Sequence, residues 1–331
     1  MAAAAGVSAS TASRALRESP LVPERTRRRV SEAAHALGFE PNRIARSLRT
    51  RSSFAIGVVV PDVATVFWAA ALKGAQDVLE HAGYLVLVMS SEREPKRERA
   101  AIRTLIAHQV DGILLATSGG EEPVAGVPVV LFDRLGSTAP SRGVALANLD
   151  GMELLFEHLR GHGHTRIAFL GGHPGSTSAD ERLAAFESAL ASDGLPPRAD
   201  FVRHGDVKWS EASGEAAVAE LLATSERPTA IIAASDALAL GALRALRRAG
   251  LRVPDDVALV SFDDPVVGDL LDPPLTALSR HDREIGELAA RMLLRLLAGE
   301  PEPAEIRVAL ELIVRRSCGC HSGGKPPVSP H

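Results

Sequence analysis

From residue 54 onward, short apolar runs alternate with amphipathic segments, and they do so in two successive series. "FAIGVVVPD" is a continuous apolar run of strand length, "FWAAALKGAQDVLEHAG" is helical and stops at Gly83, and "YLVLVMSS" is a strand again. Helix "KRERAAIRTLIAHQV" and strands "DGILLATS" and "VPVVLFDR" extend that series. A second series opens with helix "DGMELLFEHLRGHGH" and strand "RIAFLGG". It runs on through helices "DERLAAFESALASDG" and "SEASGEAAVAELLATS", strand "PTAIIAASD", helix "ALALGALRALRRAG" and strand "VALVSFDD". Uninterrupted apolar strands are buried on both faces, and strand-helix-strand units require right-handed crossovers. Each series therefore predicts a parallel sheet with helices on both sides. Two series of similar length predict two doubly wound units facing each other across a cleft.

The first 50 residues have a different texture. Residues 1–52 carry ten Arg and four Glu, a net charge of +6, whereas the remaining 279 residues carry 27 basic and 37 acidic side chains, a net charge of -10. A basic head on an acidic body points to a polyanion at one end only. The head also reads as short helices. Gly6 allows a tight turn, Ser8 is a natural N-cap, and Ala12, Ala15 and Leu16 give the following helix a small apolar face. A further helix starts at Pro23 and stops at Gly38, with Val30, Ala33, Ala34 and Leu37 forming one buried stripe and the arginines on the outer face. Helix, glycine turn and Ser-capped helix is a helix-turn-helix pattern, in which Ala9, Ser10, Ser13 and Arg14 face outward. Of these, Arg14 alone can bond a guanine bidentately. The pattern of "NRIARSLRT" after Pro41 is compatible with one more short helix, with Ile44, Ala45 and Leu48 on one side.

These stretches resemble the lactose-repressor/galactose-repressor family of bacterial transcription regulators. The likeness rests on "AGVSASTASRALRESPLVPERTRRRVSEAAHALGFEPNRIARSLRTRSSFAIGVVVPD" at the head. In the body it rests on "DGILLA", "HLRGHGHTRIAFLGG", "ERLAAF", "SDALALGALRALRRAGLRVPDDVALVSFDD" and "DPPLT", in that order. The resemblance implies a multi-domain chain with a small all-α helix-turn-helix head. Its α/β body would be two doubly wound parallel-sheet subdomains, like a periplasmic binding protein. By that likeness the head spans 1–41 and a hinge helix and linker 42–53. The N-terminal body subdomain spans 54–147 and 279–310, the C-terminal one 148–278 and 311–317, and a disordered tail 318–331. The resemblance also implies a homodimer on a palindromic double-stranded operator, with "FWAAALKGAQDVLEHAG" contributing to the dimer contact. No leucine heptad follows residue 314, so a dimer and not a tetramer is expected. One departure stands out: where family members carry several more residues, the first helix here is cut to "AAAA".

By the same resemblance, Ser8, Ala9, Ser10, Thr11 and Arg14 match the recognition helix and its phosphate contacts. "PNRIARSLR", with Asn42, Arg43 and Ala45, matches a hinge helix that orders on operator binding. Leu48 matches a leucine wedged into the minor groove, a physically sound way to kink DNA. A plain core leucine is the alternative, but Arg43, Arg46, Arg49 and Arg51 surround it. In the body, Asp133 and Asp263 each end an apolar strand, where a carboxylate can accept two sugar hydroxyls. Arg182 begins a helix and can donate in a planar fork. All three match effector-contacting positions of the family. Phe67 and Trp68 match an aromatic pair at the first strand-helix loop, and Trp209 matches an aromatic that stacks on the ligand. Ser235 stands where the family often has Asn, and Ser178 occupies a loop position that varies with ligand class. A sugar is the first expectation for the effector and a purine the second.

Other chemistry finds no support in the sequence. No phosphate-binding glycine loop and no nucleophile elbow occur. Cys318 and Cys320 are the only cysteines, so no disulfide framework exists, and "SCGCH" is an incomplete ligand set. His158, His162 and His164 read as structural residues at a helix stop. No cofactor, no metal and no enzymatic activity are expected. The chain opens without a signal-peptide pattern and holds no apolar run of spanning length, so a cytoplasmic location is expected. Three rivals differ in partner: a solute-binding protein of the transport type, an enzyme on the same scaffold, and a cytoplasmic sugar or nucleobase sensor that no longer binds DNA.

Overall fold

The computed structural model describes residues 1–16, 19–38, 52–118, 126–133, 135, 142–196, 198–279 and 281–320. They fall into two compact units, residues 1–53 and 54–331.

In the first unit, Met1–Ala5 form one helical turn that Gly6 ends. Val7 N–H donates to the Ala2 carbonyl and Gly6 N–H to the Ala3 carbonyl, both at 3.1 Å, with Gly6 at φ +58°. That double bond through a left-handed residue is a Schellman stop, and it needs glycine because a Cβ is strained there. The Arg29 Nε donates to the Ala5 carbonyl at 2.8 Å and caps the same turn. Helix α1 follows over Ala9–Ala15 and α2 over Glu24–Ala36. Ala5, Ala12, Ala15, Val22 and Val30 make up a core of small side chains. Leu37, expected on the buried stripe of α2, is 56% exposed instead. It is the C-cap, so the backbone leaves the helix before its side chain comes round to that face.

The second unit carries β1 Ala55–Val60, α3 Val66–His81, β2 Leu85–Ser90, α4 Pro95–Ala107, β3 Gly112–Leu115, β4 Val129–Phe132 and β5 Arg142–Leu146. Then come α5 Asn148–Gly161, β6 Ile167–Gly171, α6 Thr177–Ser192, β7 Val202–His204, α7 Glu211–Leu222, β8 Ala230–Ala233, α8 Asp236–Arg248 and β9 Ala258–Ser261. The chain ends its described part with β10 Thr276–Ser279, α9 Asp282–Leu297, β11 Glu305–Val308 and β12 Glu311–Ile313. Two six-stranded sheets result, in the orders β11-β5-β4-β3-β1-β2 and β12-β10-β9-β8-β6-β7. All neighbours are parallel except β12, which pairs antiparallel with β10 at an edge. A three-residue return strand can reverse there because it needs no crossover helix.

Central strands such as β1, β3, β8 and β9 are buried at every residue, as their uninterrupted apolar sequences require. Glycines set the helix spacing. A Cβ on Gly286 of α9 would lie 1.8 Å from the Ala71 carbonyl of α3, and one on Gly241 of α8 would lie 2.1 Å from the Glu211 carbonyl of α7. Both helix pairs are therefore in backbone-to-backbone contact. The chain passes between the sheets three times: from β5 to α5, from β10 to α9, and from β11 to β12.

Candidate functional site

Strand ends of both sheets point into one cleft of about 620 Å³, counted with its open mouth. In open α/β sheets the carboxyl ends of strands are where loops gather side chains around a ligand. β4 delivers Asp133, 8% exposed, whose backbone sits at φ +63° with its N–H donating to the Val144 carbonyl at 2.8 Å. β9 delivers Phe262 and Asp263, the latter 5% exposed. β8 delivers Ser235, which is also the N-cap of α8 and accepts from the Leu238 N–H at 3.3 Å.

The aromatic wall comes from the first loop of the body. Trp68 is buried edge-on against Phe132, with ring centroids 5.5 Å apart, and Phe67 packs on Trp68 at 4.6 Å. Across the cleft Trp209 sits half-buried at φ +57°. Its ring packs against Gly172, where any Cβ would fall 2.1 Å from the indole. The Trp209 loop is wound around Asp206, which accepts from the Lys208 and Ser210 N–H groups and from the Ser210 hydroxyl. Burial pushes the Asp206 carboxyl up, but these hydrogen bonds outweigh it and hold it below the usual carboxylate range.

Arg182 is the pivot. On the first turns of α6 and 5% exposed, it lays its guanidinium over the Phe262 ring at 3.7 Å. Its Nε donates to Asn148 Oδ1 at 2.9 Å and its Nη1 to the Ala234 carbonyl at 2.6 Å, while Asp263 Oδ1 lies 3.8 Å from Nη1. A planar fork held on two fixed acceptors is preorganised for planar recognition. Asn148 also donates to Glu181 Oε2 at 2.6 Å, and Glu181 takes both arms of Arg307 at 2.8 Å. Arg307 lies on β11 of the first sheet and Glu181 on a helix of the second, so this bidentate pair straps the two halves together. Burial pushes Glu181 up, but the bonds from Arg307 and Asn148 prevail and lower it.

Phe67, Trp68, Asp133, Ser178, Arg182, Trp209, Ser235 and Asp263, all singled out in the sequence, line this one cleft. Thr65, Arg93, Leu146, Lys208, Asp236 and Ala237 line it too and were not foreseen. Arg93 sits at φ +63° just after β2, its guanidinium pushed down by burial and drawn back by Asp62, Asp206 and Asp133. Its position just past a strand end was the available signal. Among the described residues, Arg93, Arg182 and Lys208 face Asp133, Asp236 and Asp263, three cations to three carboxylates.

In the head, the Ser8 hydroxyl accepts from the Thr11 N–H at 3.1 Å and caps α1. It also lies 2.9 Å from the hydroxyls of Ser10 and Thr11. Ser8, Ala9, Ser10 and Arg14 are exposed, and Thr11 and Ser13 half-buried. Asn42, Arg43, Ala45 and Leu48 lie outside the described residues.

One expectation gives way at the far end of the body. Residues 318–320 are not a loose tail: Cys318 is fully buried, and Ser317 bonds the Leu259 carbonyl and the Thr276 N–H at 2.6 and 2.8 Å. The fold also brings His158 and His162, read from the sequence as structural residues at a helix stop, together with Cys318 and Cys320.

A helix-turn-helix head, joined in sequence to a two-sheet body with a polar and aromatic cleft, defines the class of ligand-responsive DNA-binding regulators. Residues 1–42 match the family described as bacterial regulatory proteins, lacI family, and residues 156–318 match the periplasmic binding protein-like domain. The chain is 32% identical over 333 residues to the transcriptional regulator GalR of Salmonella typhimurium, covering 99% of this chain and 96% of that one. The crystal structure of the lac repressor dimer bound to operator and the anti-inducer ONPF superposes with a TM-score of 0.85 at 30% identity, covering 96% and 97% of the two chains. The transcriptional regulator CelR in complex with cellobiose gives a TM-score of 0.74 at 31% identity over 96% and 98%. This chain belongs to the lacI family of bacterial regulatory proteins. Its relatives in these comparisons are transcriptional regulators, not enzymes, and no helix among the described residues is long and apolar enough to cross a membrane.

Proposed function

We propose that this chain is a dimeric repressor of carbohydrate-utilisation genes whose affinity for a palindromic double-stranded operator is changed by a sugar held in the body cleft. The observation that carries the reading is the composition of that cleft: buried carboxylates, a fixed guanidinium and aromatic faces, with cations and carboxylates matched in number among the described residues. A balanced set favours a neutral polyol over an anion. Asp133 and Asp263 accept from hydroxyls, Arg182 donates, Ser178 and Ser235 fill out the edge, and Phe67, Trp68 and Trp209 face the C–H surface of the ring. The same aromatic faces support a purine as the second reading.

In the head, Arg14 and the Ser8, Ser10 and Thr11 hydroxyls read base edges and phosphates, with Ala9 and Ser13 beside them. Asn42, Arg43, Ala45 and Leu48 serve the minor groove. Closure of the two halves on a sugar alters DNA affinity, and DNA alters sugar affinity by the same factor. Leu85 and Val88 on the outer strand β2, 47% and 46% exposed, support a second copy on that side. Acting on chromosomal DNA places the protein in the cytoplasm, and we read the cleft as binding its ligand unchanged, without cofactor or turnover.

The test is fluorescence anisotropy of labelled palindromic duplexes from DNA flanking the gene, titrated across salt and then with mono- and disaccharides and purines. Tight binding with a steep negative salt slope, reversed by one sugar recovered chemically intact, is expected. Sugar binding with silence on every duplex would leave a sensor without a DNA function and overturn the reading.

A further inference from the structure

The strands of the second sheet have two ends, and the cleft uses only the carboxyl ends. At the amino ends, where β6 and β10 begin, His158 and His162 on the last turn and cap of α5 meet Cys318 and Cys320 from the segment after β12. All four potential ligand atoms lie within 4.8 Å of one another. His162 Nε2 is 3.0 Å from Cys320 Sγ, and His158 Nε2 is 3.9 Å from the same sulfur. Four-residue helical spacing puts both imidazoles on one face. Gly319 at φ +96° turns the chain between the two cysteines.

We propose that His158, His162, Cys318 and Cys320 form a structural Zn²⁺ site. A tetrahedral zinc with two thiolates and two imidazoles separates its donor atoms by about 3.3 to 3.8 Å, given Zn–S near 2.3 Å and Zn–N near 2.0–2.1 Å. The observed cluster needs only small side-chain adjustments to reach that. Two soft sulfurs and two borderline nitrogens suit zinc over magnesium or calcium, which take oxygen ligands. The surroundings are those of a closed, structural site: Cys318 is fully buried and His158 is 6% exposed. A second layer is present as well, since the Thr276 hydroxyl donates to Cys318 Sγ at 3.1 Å and orients it. The site is separate from the sugar reading and stands without it.

Its role follows from connectivity. His162 and Cys320 are 158 positions apart, so a metal joining them closes a loop spanning the whole C-terminal half of the body. Closing a long loop restricts the unfolded chain most, and metal-binding free energy becomes folding free energy.

The test uses the full chain, purified without a polyhistidine tag, loaded with Zn²⁺ and dialysed against metal-free buffer. About one zinc per chain by mass spectrometry is expected, with Co²⁺ in its place giving the thiolate charge-transfer and intense visible bands of a tetrahedral site. His162→Ala and Cys320→Ser change the two half-buried ligands and leave the buried pair in place. Each should drop zinc retention roughly tenfold and abolish the melting-temperature loss that a chelator causes in the parent protein. Retention of one zinc by both variants would overturn the assignment. So would a parent chain that holds no zinc or cobalt while both thiols titrate freely, and that outcome requires no variant to fold.

Discussion

In the first half of the body Gly286 brings α9 onto α3, and in the second Gly241 brings α8 onto α7. The sheets beside these pairs repeat the same strand order. Yet the halves deliver unlike chemistry to the cleft. The first supplies the Phe67–Trp68 wall, Asp133 and Arg93; the second supplies Arg182, Asp263, Ser178, Ser235 and Trp209. The second alone carries the histidine-cysteine cluster. One scaffold built twice thus holds a wall on one side and a grip on the other. The framework is set by backbone contacts that tolerate no side chain, and the chemistry by the few residues past each strand end.

The sharpest way to break this comparison is at the grip. Arg182→Met should weaken sugar binding by 100-fold or more, on the order of 3 kcal/mol, because it strips a buried, hydrogen-bonded charge from beside Asp263. Calorimetry on the folded variant checks it, and an unchanged affinity would remove Arg182 from the site. Next come the two glycine contacts. Gly286→Leu and Gly241→Leu should each cost about 3 kcal/mol, since the obstacle is backbone and cannot yield. Thermal unfolding showing one half tolerant and the other not would end the idea of a shared framework.

A smaller effect is expected from the opposing aromatic. Trp209→Ala should reduce sugar affinity about tenfold, about 1.4 kcal/mol, and should lower the melting temperature modestly because the ring also packs on Gly172. The smallest concerns the strap. Glu181, held below its ordinary carboxylate range by Arg307 and Asn148, favours the folded state fully above pH 4.5 and loses that contribution as pH falls through its lower folded value. Glu181→Gln should therefore flatten the acid limb of a stability-versus-pH curve while changing stability at neutral pH by about 1 kcal/mol or less.

Much of this was legible in the sequence because periodicity is local. The apolar runs announced both sheets, Asp133 and Asp263 were readable because each sits at the end of such a run, and Ser235 was singled out through the family resemblance. Arg93 and Lys208 were not, since nothing local distinguishes a cleft-facing cation in a loop from a solvated one. The antiparallel β12 was hidden for a similar reason: three residues show no period. Leu37 misled because periodicity does not say where a helix stops. The histidine-cysteine cluster was out of reach altogether, its members being joined only by the way β12 and the following residues return to the second sheet.

Asn148 touches both the grip and the strap: one of its atoms accepts from Arg182 and another donates to Glu181. A change of ligand preference that moves Arg182 must therefore also disturb the bond that ties β11 to α6. Divergence toward new effectors is then channelled away from this residue, toward wall and rim positions such as Thr65, Ser178, Ser235 and Lys208. Those can be exchanged without loosening the joint between the halves. The selectivity of such a sensor drifts along its border while its centre stays fixed.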